Sequence, residues 1–515
     1  MITTQRTADV AIVGYGPVGV TAANLLGLLG VRAVVIERDP LPYARARAIS
    51  TDEEVLRIWQ AVGLAERLKQ DMLAERPIDF VDARGRSFLS FEPKSRGNAQ
   101  PPQMFIYQPA LEEVLREGVR RFPNVEVLLE HELLSLEQDD DAVDLAVRDL
   151  RGGSSVAVRA TYVLACDGGS SQVRTQLQIG FEGRTYEDPW LVIDTKVKRP
   201  WPEVDRLRFH CDPDRPAVDC PTPLGHHRWE FPVLPGEDRD ELKSEASVWR
   251  LLGRHGIGPE HVELLRRVVY VHHVRFAERW REGHVFLLGD AAHVMPPWIG
   301  QGMAAGVRDA ANLCWKLAAV IEGSAAPELL DSYEAERQPH VRAITEKAIF
   351  FGKVITERRR RRAAVRNLLW RAAMRVPRLG SYFRRGDWFP RSRYADGFLA
   401  GGPDREAVGD LIPQPFVATA DGEQVRFDDA LGPGWTLLTR PRAAGLTPEA
   451  REQWLATGAR AFVDRDDVLG PWMERRGVDV LVLRPDRFVY AAGSADARLP
   501  GPPPVLQPRP QEVSV

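Results

Sequence analysis

Six residues constrain this chain more than any others. Gly14-Tyr15-Gly16-Pro17-Val18-Gly19 lies between a short apolar run, Asp9-Val10-Ala11-Ile12-Val13, and a helical pattern over 17–29. A run that is apolar on both faces reads as a strand buried in a parallel sheet. A second such run, Ala33-Val34-Val35-Ile36, ends in Glu37. Strand, glycine turn, helix, strand and terminal acid together form a βαβ unit of the kind that binds a dinucleotide. Gly14 permits the tight turn, Gly16 lets the backbone approach a pyrophosphate, and Gly19 lets helix and strand pack closely. The helix start turns free N–H groups and partial positive charge toward the phosphates. The Glu37 carboxylate can accept from ribose hydroxyls, and its charge would repel a 2′-phosphate.

Two later segments indicate which dinucleotide is held. Val285-Phe286-Leu287-Leu288-Gly289-Asp290 places an acid just past a buried strand, at the strand end where ligands sit in such sheets. Asp290 there suits a polyhydroxyl chain such as ribitol. Pro296-Pro297-Trp298-Ile299-Gly300-Gln301-Gly302 then leads into a helical pattern over 303–321. That helix start, with Gly300, Gly302 and Met303, is a cradle for the negative charge a flavin develops on reduction. A third element, Cys166-Asp167-Gly168-Gly169-Ser170, puts Asp167 past another buried strand, with Arg174 one turn into the next helix. Each element alone has an ordinary reading as a turn or a cap. Their combination points to FAD.

At 515 residues the chain is too long for one ordinary core. The α/β texture of 1–189 gives way over 190–274 to strand-like segments with Pro, Gly and Asp punctuation. It returns over 275–394, and 395–515 reads as a last unit of strands and helices. The segment 499–504 is Pro-rich and reads as a frayed tail. A formal charge of −3 makes no electrostatic case for a nucleic-acid partner. The basic stretch 358–362 lacks aromatic interleaving and reads as a solvated helix face. Four scattered cysteines without a CxxC pair suggest no disulfide framework and no metal site, and fit a reducing cytoplasm. No apolar run reaches the roughly 18 residues that span a bilayer, so no membrane association is expected. The expectation is a cytoplasmic multidomain protein, with a homodimer allowed.

Together the three motifs resemble the class A flavoprotein monooxygenases, the family of para-hydroxybenzoate hydroxylase, over about the first 350 residues. Four further segments are similar to the branch acting on 3-(3-hydroxyphenyl)propionate: Arg47-Ala48-Ile49, Phe105-Ile106-Tyr107-Gln108-Pro109, Cys211-Asp212-Pro213 with Arg215-Pro216, and Leu483-Arg484-Pro485-Asp486-Arg487-Phe488-Val489. The resemblance then covers nearly the whole chain. It implies an α/β fold: a Rossmann-like FAD-binding domain, an inserted antiparallel-sheet substrate domain and a C-terminal thioredoxin-like domain. With no CxxC, that last domain cannot be a dithiol redox module. The resemblance also places Arg47 and Gln108 along the FAD. Where the family has Gly-x-Asn-x-Gly, this chain has Gly302-Met303-Ala304-Ala305-Gly306. Backbone donors survive that difference; a side-chain contribution does not.

The activity implied is hydride transfer from NADH or NADPH to FAD, then insertion of one oxygen atom from O₂ ortho to the hydroxyl of a small aromatic substrate. The cofactor carries the hard chemistry, so the protein must position, desolvate and polarise. No GxSxG nucleophile is present. A pocket base would raise ring electron density, with His210, His226 and His227 as candidates. Arg208, Arg215 and Arg228 could pair with a substrate carboxylate. Trp298 and Pro297 could wall the pocket. Three rivals remain open at this point: a hydroxylase tailoring a larger aromatic product, a flavoprotein oxidase or epoxidase without a phenol requirement, and a non-catalytic FAD-binding protein.

Overall fold

The computed structural model describes residues 4–42, 47–185, 189–401, 406–419, 421–441, 443, 447–494 and 499–507. Five parallel strands make the central sheet, in the order Val285–Leu287, Ser155–Ala165, Thr4–Val13, Ala33–Glu37, Val125–Leu129. Four of them are largely buried over their apolar residues, with Val10, Ile12, Val163 and Phe286 at 0% exposure, which explains the unbroken apolar runs, while the edge strand Val125–Leu129 is only partly buried. A hairpin of His131–Gln138 and Val143–Asp149 extends antiparallel from Ser155–Ala165. The helices Pro17–Leu28 and Gly302–Ile321 pack against each other beside this sheet. The helical pattern after Glu53 is two helices, Glu53–Ala61 and Ala65–Lys69, parted at Gly63, whose φ is +72°.

A second sheet has seven strands, in the order Val262–Tyr270, Trp190–Val197, His226–Pro232, Ala217–Thr222, Leu207–His210, Ile78–Val81, Ser87–Phe91. It draws its last two strands from the first part of the chain, outside the 190–274 expected from sequence. Ile78–Val81 pairs parallel with Leu207–His210, so the sheet is mixed and not wholly antiparallel. One face packs on the helix Glu245–Gly253 through Ile193, Trp229, Phe231, Val248 and Leu252. The other face is turned toward the first domain.

The helices Ser332–Ile355, Arg360–Arg375 and Pro377–Arg384 follow, and Arg361 and Arg362 are exposed on the second of them. Among the described residues the last unit has a four-stranded sheet, in the order Arg460–Val463, Thr436–Thr439, Val480–Leu483, Val489–Gly493, a separate pair of strands, Phe416–Ala418 and Gln424–Arg426, and the helices Phe427–Leu431, Pro448–Ala456 and Gly470–Glu474. The Pro-rich segment is not frayed. Leu499 and Leu506 are buried, Ala326 N–H donates to Val505 O (2.8 Å), and Gln507 N–H donates to Ser324 O (2.9 Å). Trp454 Nε1 also donates to Pro500 O at 3.0 Å. The prolines hold an extended chain that uses carbonyls as acceptors and carries leucines into a core. Among the described residues no helix is long and apolar enough to cross a membrane, and no cluster of side chains could hold a metal ion.

Candidate active site

One cavity of about 1250 Å³ runs between the central sheet and the open face of the second sheet. Gly14, Gly16 and Glu37 line one end of it. Gly14 has φ +99°, and a Cβ there would meet Cys166 O at 2.4 Å. Gly19 does not line the cavity: a Cβ on it would lie 2.0 Å from Gly14 O, so it serves the close approach of helix and turn. A Cβ on Gly16 meets nothing within 4 Å. The Glu37 carboxylate accepts from Tyr15 N (2.7 Å) and Asp39 N (2.8 Å), and keeps lone pairs for a ligand.

The next part of the cavity is assembled from segments distant in sequence. Asp309 accepts from Gly289 N (3.0 Å) and His293 Nε2 (2.7 Å) and from Arg337 Nε (2.9 Å), fixing the turn that presents Asp290. Asp290 pairs with Arg47 at 3.4 Å, its side chain 37% exposed. Gln108 is buried, and its Oε1 accepts from Arg47 N (2.7 Å) and Ala48 N (2.9 Å). Gln108 thus holds the Arg47 segment as well as lining the cavity. Asp167 Oδ2 accepts from Gln172 N and Val173 N, while Oδ1 is buried without a partner, and burial pushes its carboxyl up. Arg174 ties this turn to the next by donating to Gly169 O and Ala291 O, both at 2.9 Å.

Gly300, Gly302 and Met303 line the cavity at the start of Gly302–Ile321. Neither this helix nor Pro17–Leu28 carries a side-chain cap, so both starts leave N–H donors for an anion. Two uncapped helix starts, an exposed acid and an orphaned Asp167 oxygen fit FAD. Ala304 is fully buried and does not line the cavity, while a Cβ on Gly306 would meet Val18 Cγ2 at 2.5 Å and Gly289 Cα at 2.9 Å.

Beyond this end the cavity becomes an aromatic chamber, with Phe80, Phe91, Phe209, Trp298 and Trp388 in its wall. Trp298 packs edge-on to Trp190 (4.9 Å) and His272 (5.4 Å). Arg228 lines it too, but its Nε donates to Asp194 (2.7 Å) and its Nη1 to Arg47 O (3.0 Å).

None of the three candidate histidines lines the cavity. His210 (2.5 Å) and His227 (3.5 Å) lie against Asp219 on the opposite face of the sheet, and His226 stacks on Tyr107 at 4.3 Å. Arg208 donates to the same Asp219 at 3.0 Å, and Arg215 pairs with Glu237. These groups are consumed by partners.

Sequence reasoning missed Glu230, Tyr270 and His272, which line the chamber, and Lys94 at its rim. Burial lowers the His272 imidazole to about 4. It also missed Arg308, buried behind the helix start, which donates to Asp52 (2.8 Å), Glu54 (2.7 Å) and Gln301 (3.2 Å). One signal was available: Tyr270-Val271-His272-His273 ends the inserted segment, and pockets favour domain junctions.

Residues 7–348 match the FAD binding domain family and 409–499 match the HcaD C-terminal domain family. The chain is 36% identical to the 3-(3-hydroxy-phenyl)propionate/3-hydroxycinnamic acid hydroxylase of Burkholderia cenocepacia, and 35% identical to that of Comamonas testosteroni, over 95% of each chain. Among solved structures it is similar to the flavin-dependent monooxygenase PieE with FAD and substrate (TM-score 0.81, 24% identity, 95% of this chain and 96% of that one). It is similar also to OxyS anhydrotetracycline hydroxylase from Streptomyces rimosus (TM-score 0.77, 26% identity, 95% and 96%). With a matched FAD-binding region, hydroxylase relatives over nearly its full length and a cavity built for that cofactor, this chain belongs to the class A FAD-dependent aromatic hydroxylases.

Proposed function

We propose that the enzyme hydroxylates a phenol ortho to its hydroxyl, that the phenol carries a short carboxylate chain, and that NADH or NADPH and O₂ are co-substrates. The best match is 3-(3-hydroxyphenyl)propionate or 3-hydroxycinnamate. The observation that carries this is a chamber walled by aromatic rings that continues directly from the FAD end, supported by relatives named for those two substrates. When bound, FAD supplies the redox chemistry: it accepts a hydride and activates O₂.

The chain's own residues bind and orient. Gly14, Gly16 and the start of Pro17–Leu28 take the pyrophosphate, and Glu37 a ribose. Asp290 takes the ribityl chain with Arg47 beside it. The start of Gly302–Ile321 faces the flavin edge, and Trp298 with Phe209 and Phe80 excludes water from the ring. Lys94, and not Arg208, Arg215 or Arg228, takes the carboxylate. Its ammonium has no partner among the described residues, whereas Arg208, Arg215 and Arg228 are already held by Asp219, Glu237 and Asp194. The seven-stranded sheet is the substrate domain, and 395–515 a thioredoxin-like domain that closes the fold without redox chemistry.

The deciding experiment is a screen of phenols and phenylpropionates for stimulated NAD(P)H consumption, with product mass under isotopically heavy O₂. Labelled catechol from 3-(3-hydroxyphenyl)propionate is expected; unlabelled product ends the oxygenase reading. A second reading, a larger polycyclic phenol, is favoured by the cavity volume and by the likeness to an anhydrotetracycline hydroxylase. Labelled product from bulky phenols alone would select it.

A further inference from the structure

One carboxyl in the floor of the chamber has no task in the reading above. Glu230 sits in mid-strand, directly between Val192 on one neighbouring strand and Val218 on the other. Both valines line the cavity with it, as do Phe209 and Arg228. No hydrogen bond engages Glu230 among the described residues. The other acids nearby are occupied. Asp194 is held by Arg228 (2.7 Å) and Arg266 (2.6 Å), Asp52 and Glu54 by Arg308, and Glu53 by Ser95 and Arg96 N. Glu230 is partly exposed to the cavity and feels the charges of Arg228 and Arg266, so an acceptor with no hydrogen bond of its own is open to a donor brought by a bound molecule.

We propose that Glu230 is a catalytic residue that accepts the phenol O–H of the substrate and takes its proton. This rests on the phenol reading. The position fits: Glu230 is two residues from Arg228, about 7 Å along the strand, and Arg228 donates to Arg47 O beside Asp290. The acceptor therefore stands one strand repeat beyond the wall shared with the FAD end. As the ortho carbon takes the oxygen atom, the phenol O–H bond breaks and its electron pair stays on the phenol oxygen. An O–H bond forms on Glu230. The proton returns to that oxygen when the ring carbon's own hydrogen leaves as a proton and aromaticity is restored; the departing proton goes to the second oxygen atom of O₂, which ends as water. The oxygen comes from O₂ and the reducing equivalents from NAD(P)H, so nothing further is consumed.

Burial pushes the Glu230 carboxyl up, against the opposing charges of Arg228 and Arg266 and with that of Asp194. Tyr270 and His272 are the other titratable groups in this wall, and burial keeps His272 neutral at pH 7. The carboxyl must be ionised to accept a proton. Activity should therefore fall as pH drops through its raised value.

The test uses the FAD-loaded enzyme and 3-(3-hydroxyphenyl)propionate, with FAD content measured for each variant. Glu230→Gln should lower kcat about 10²- to 10⁴-fold and abolish the acid limb of kcat/KM. Glu230→Asp should keep the limb at a reduced rate. In flavin-monitored titrations the native enzyme should bind the phenol about tenfold to hundredfold tighter than its methyl ether, 3-(3-methoxyphenyl)propionate, and Glu230→Gln should lose that preference. A Glu230→Gln enzyme with native kcat, acid limb and phenol preference overturns the inference alone. Should that variant fail to fold, a native enzyme without an acid limb or a preference over the ether overturns it equally. A native enzyme that neither binds nor turns over any phenol overturns the phenol reading and this inference together.

Discussion

Arg484 sets two guanidinium nitrogens against both carboxylate oxygens of Glu336, at 2.7 and 2.8 Å, with both side chains fully buried. The pair joins the C-terminal unit to the helix Ser332–Ile355, and Lys316 Nζ donates to the same carboxylate at 2.9 Å. Removing one partner of a buried pair leaves an uncompensated charge, at about 3–5 kcal/mol. Glu336→Gln is expected to lower the thermal midpoint by several degrees, with calorimetry as the check. An unchanged midpoint would show that the joint contributes nothing.

The same pair gives a pH dependence. Burial pushes the Glu336 carboxyl up, but Arg484 and Lys316 overcome this and hold it at about 2, against 4.5 for an ordinary glutamate. A depressed carboxylate contributes stability above its unfolded value and loses it as pH falls through its folded one. The native midpoint should therefore decline between about pH 4.5 and 2. The decline should be shallower in Glu336→Gln when both are scanned over that range.

Two glycines in one motif should fail differently. Gly19→Ala puts a Cβ 2.0 Å from a backbone oxygen and should compromise folding itself. Gly16→Ala meets no protein atom within 4 Å and should fold normally, yet bind FAD more weakly by crowding the pyrophosphate. Circular dichroism and FAD titration on both variants separate the outcomes. Native FAD affinity in Gly16→Ala would remove the pyrophosphate from that turn.

Asp290→Ala should give folded, mostly FAD-free protein, because the side chain is 37% exposed and takes no part in the core. Loss of a charged hydrogen bond to a ligand costs about 1.5–3 kcal/mol, or tenfold to hundredfold in affinity. Fluorescence titration with FAD measures it, and an unaltered dissociation constant counts against the ribityl role.

Lys94→Met should raise KM for a carboxylate-bearing phenol about twofold to fivefold, the scale of an exposed charge pair. kcat should hold, because an anchor remote from the reacting carbon contributes uniform binding. KM for an uncharged meta-alkyl phenol should not change. Equal effects on both substrates would place the anchor elsewhere.

What the sequence by itself determined is what local chain geometry determines. The turn at Gly14 needs a positive φ next to a buried strand, so it is legible from six consecutive residues, and so is Asp290 just past Val285–Leu287. Relations that depend on which elements meet were decided only in three dimensions. His227 and Arg228 are neighbours in sequence, yet one residue along a strand reverses the face. Arg228 and Glu230 turn to the cavity while His227 turns to Asp219, and no count of candidate bases distinguishes the faces before the sheet's packing partner is known. Gly306 matters because Gly289 and Val18 press on it from other segments, and the chamber wall includes Phe80 because residues 78–81 pair with Leu207–His210, more than a hundred positions later. The Pro-rich end shows the same thing: prolines exclude a helix there, but docking was settled by burial of Leu499 and Leu506. Local motifs carry their own steric cause within a few residues; facing, burial and pairing have their causes in segments far along the chain.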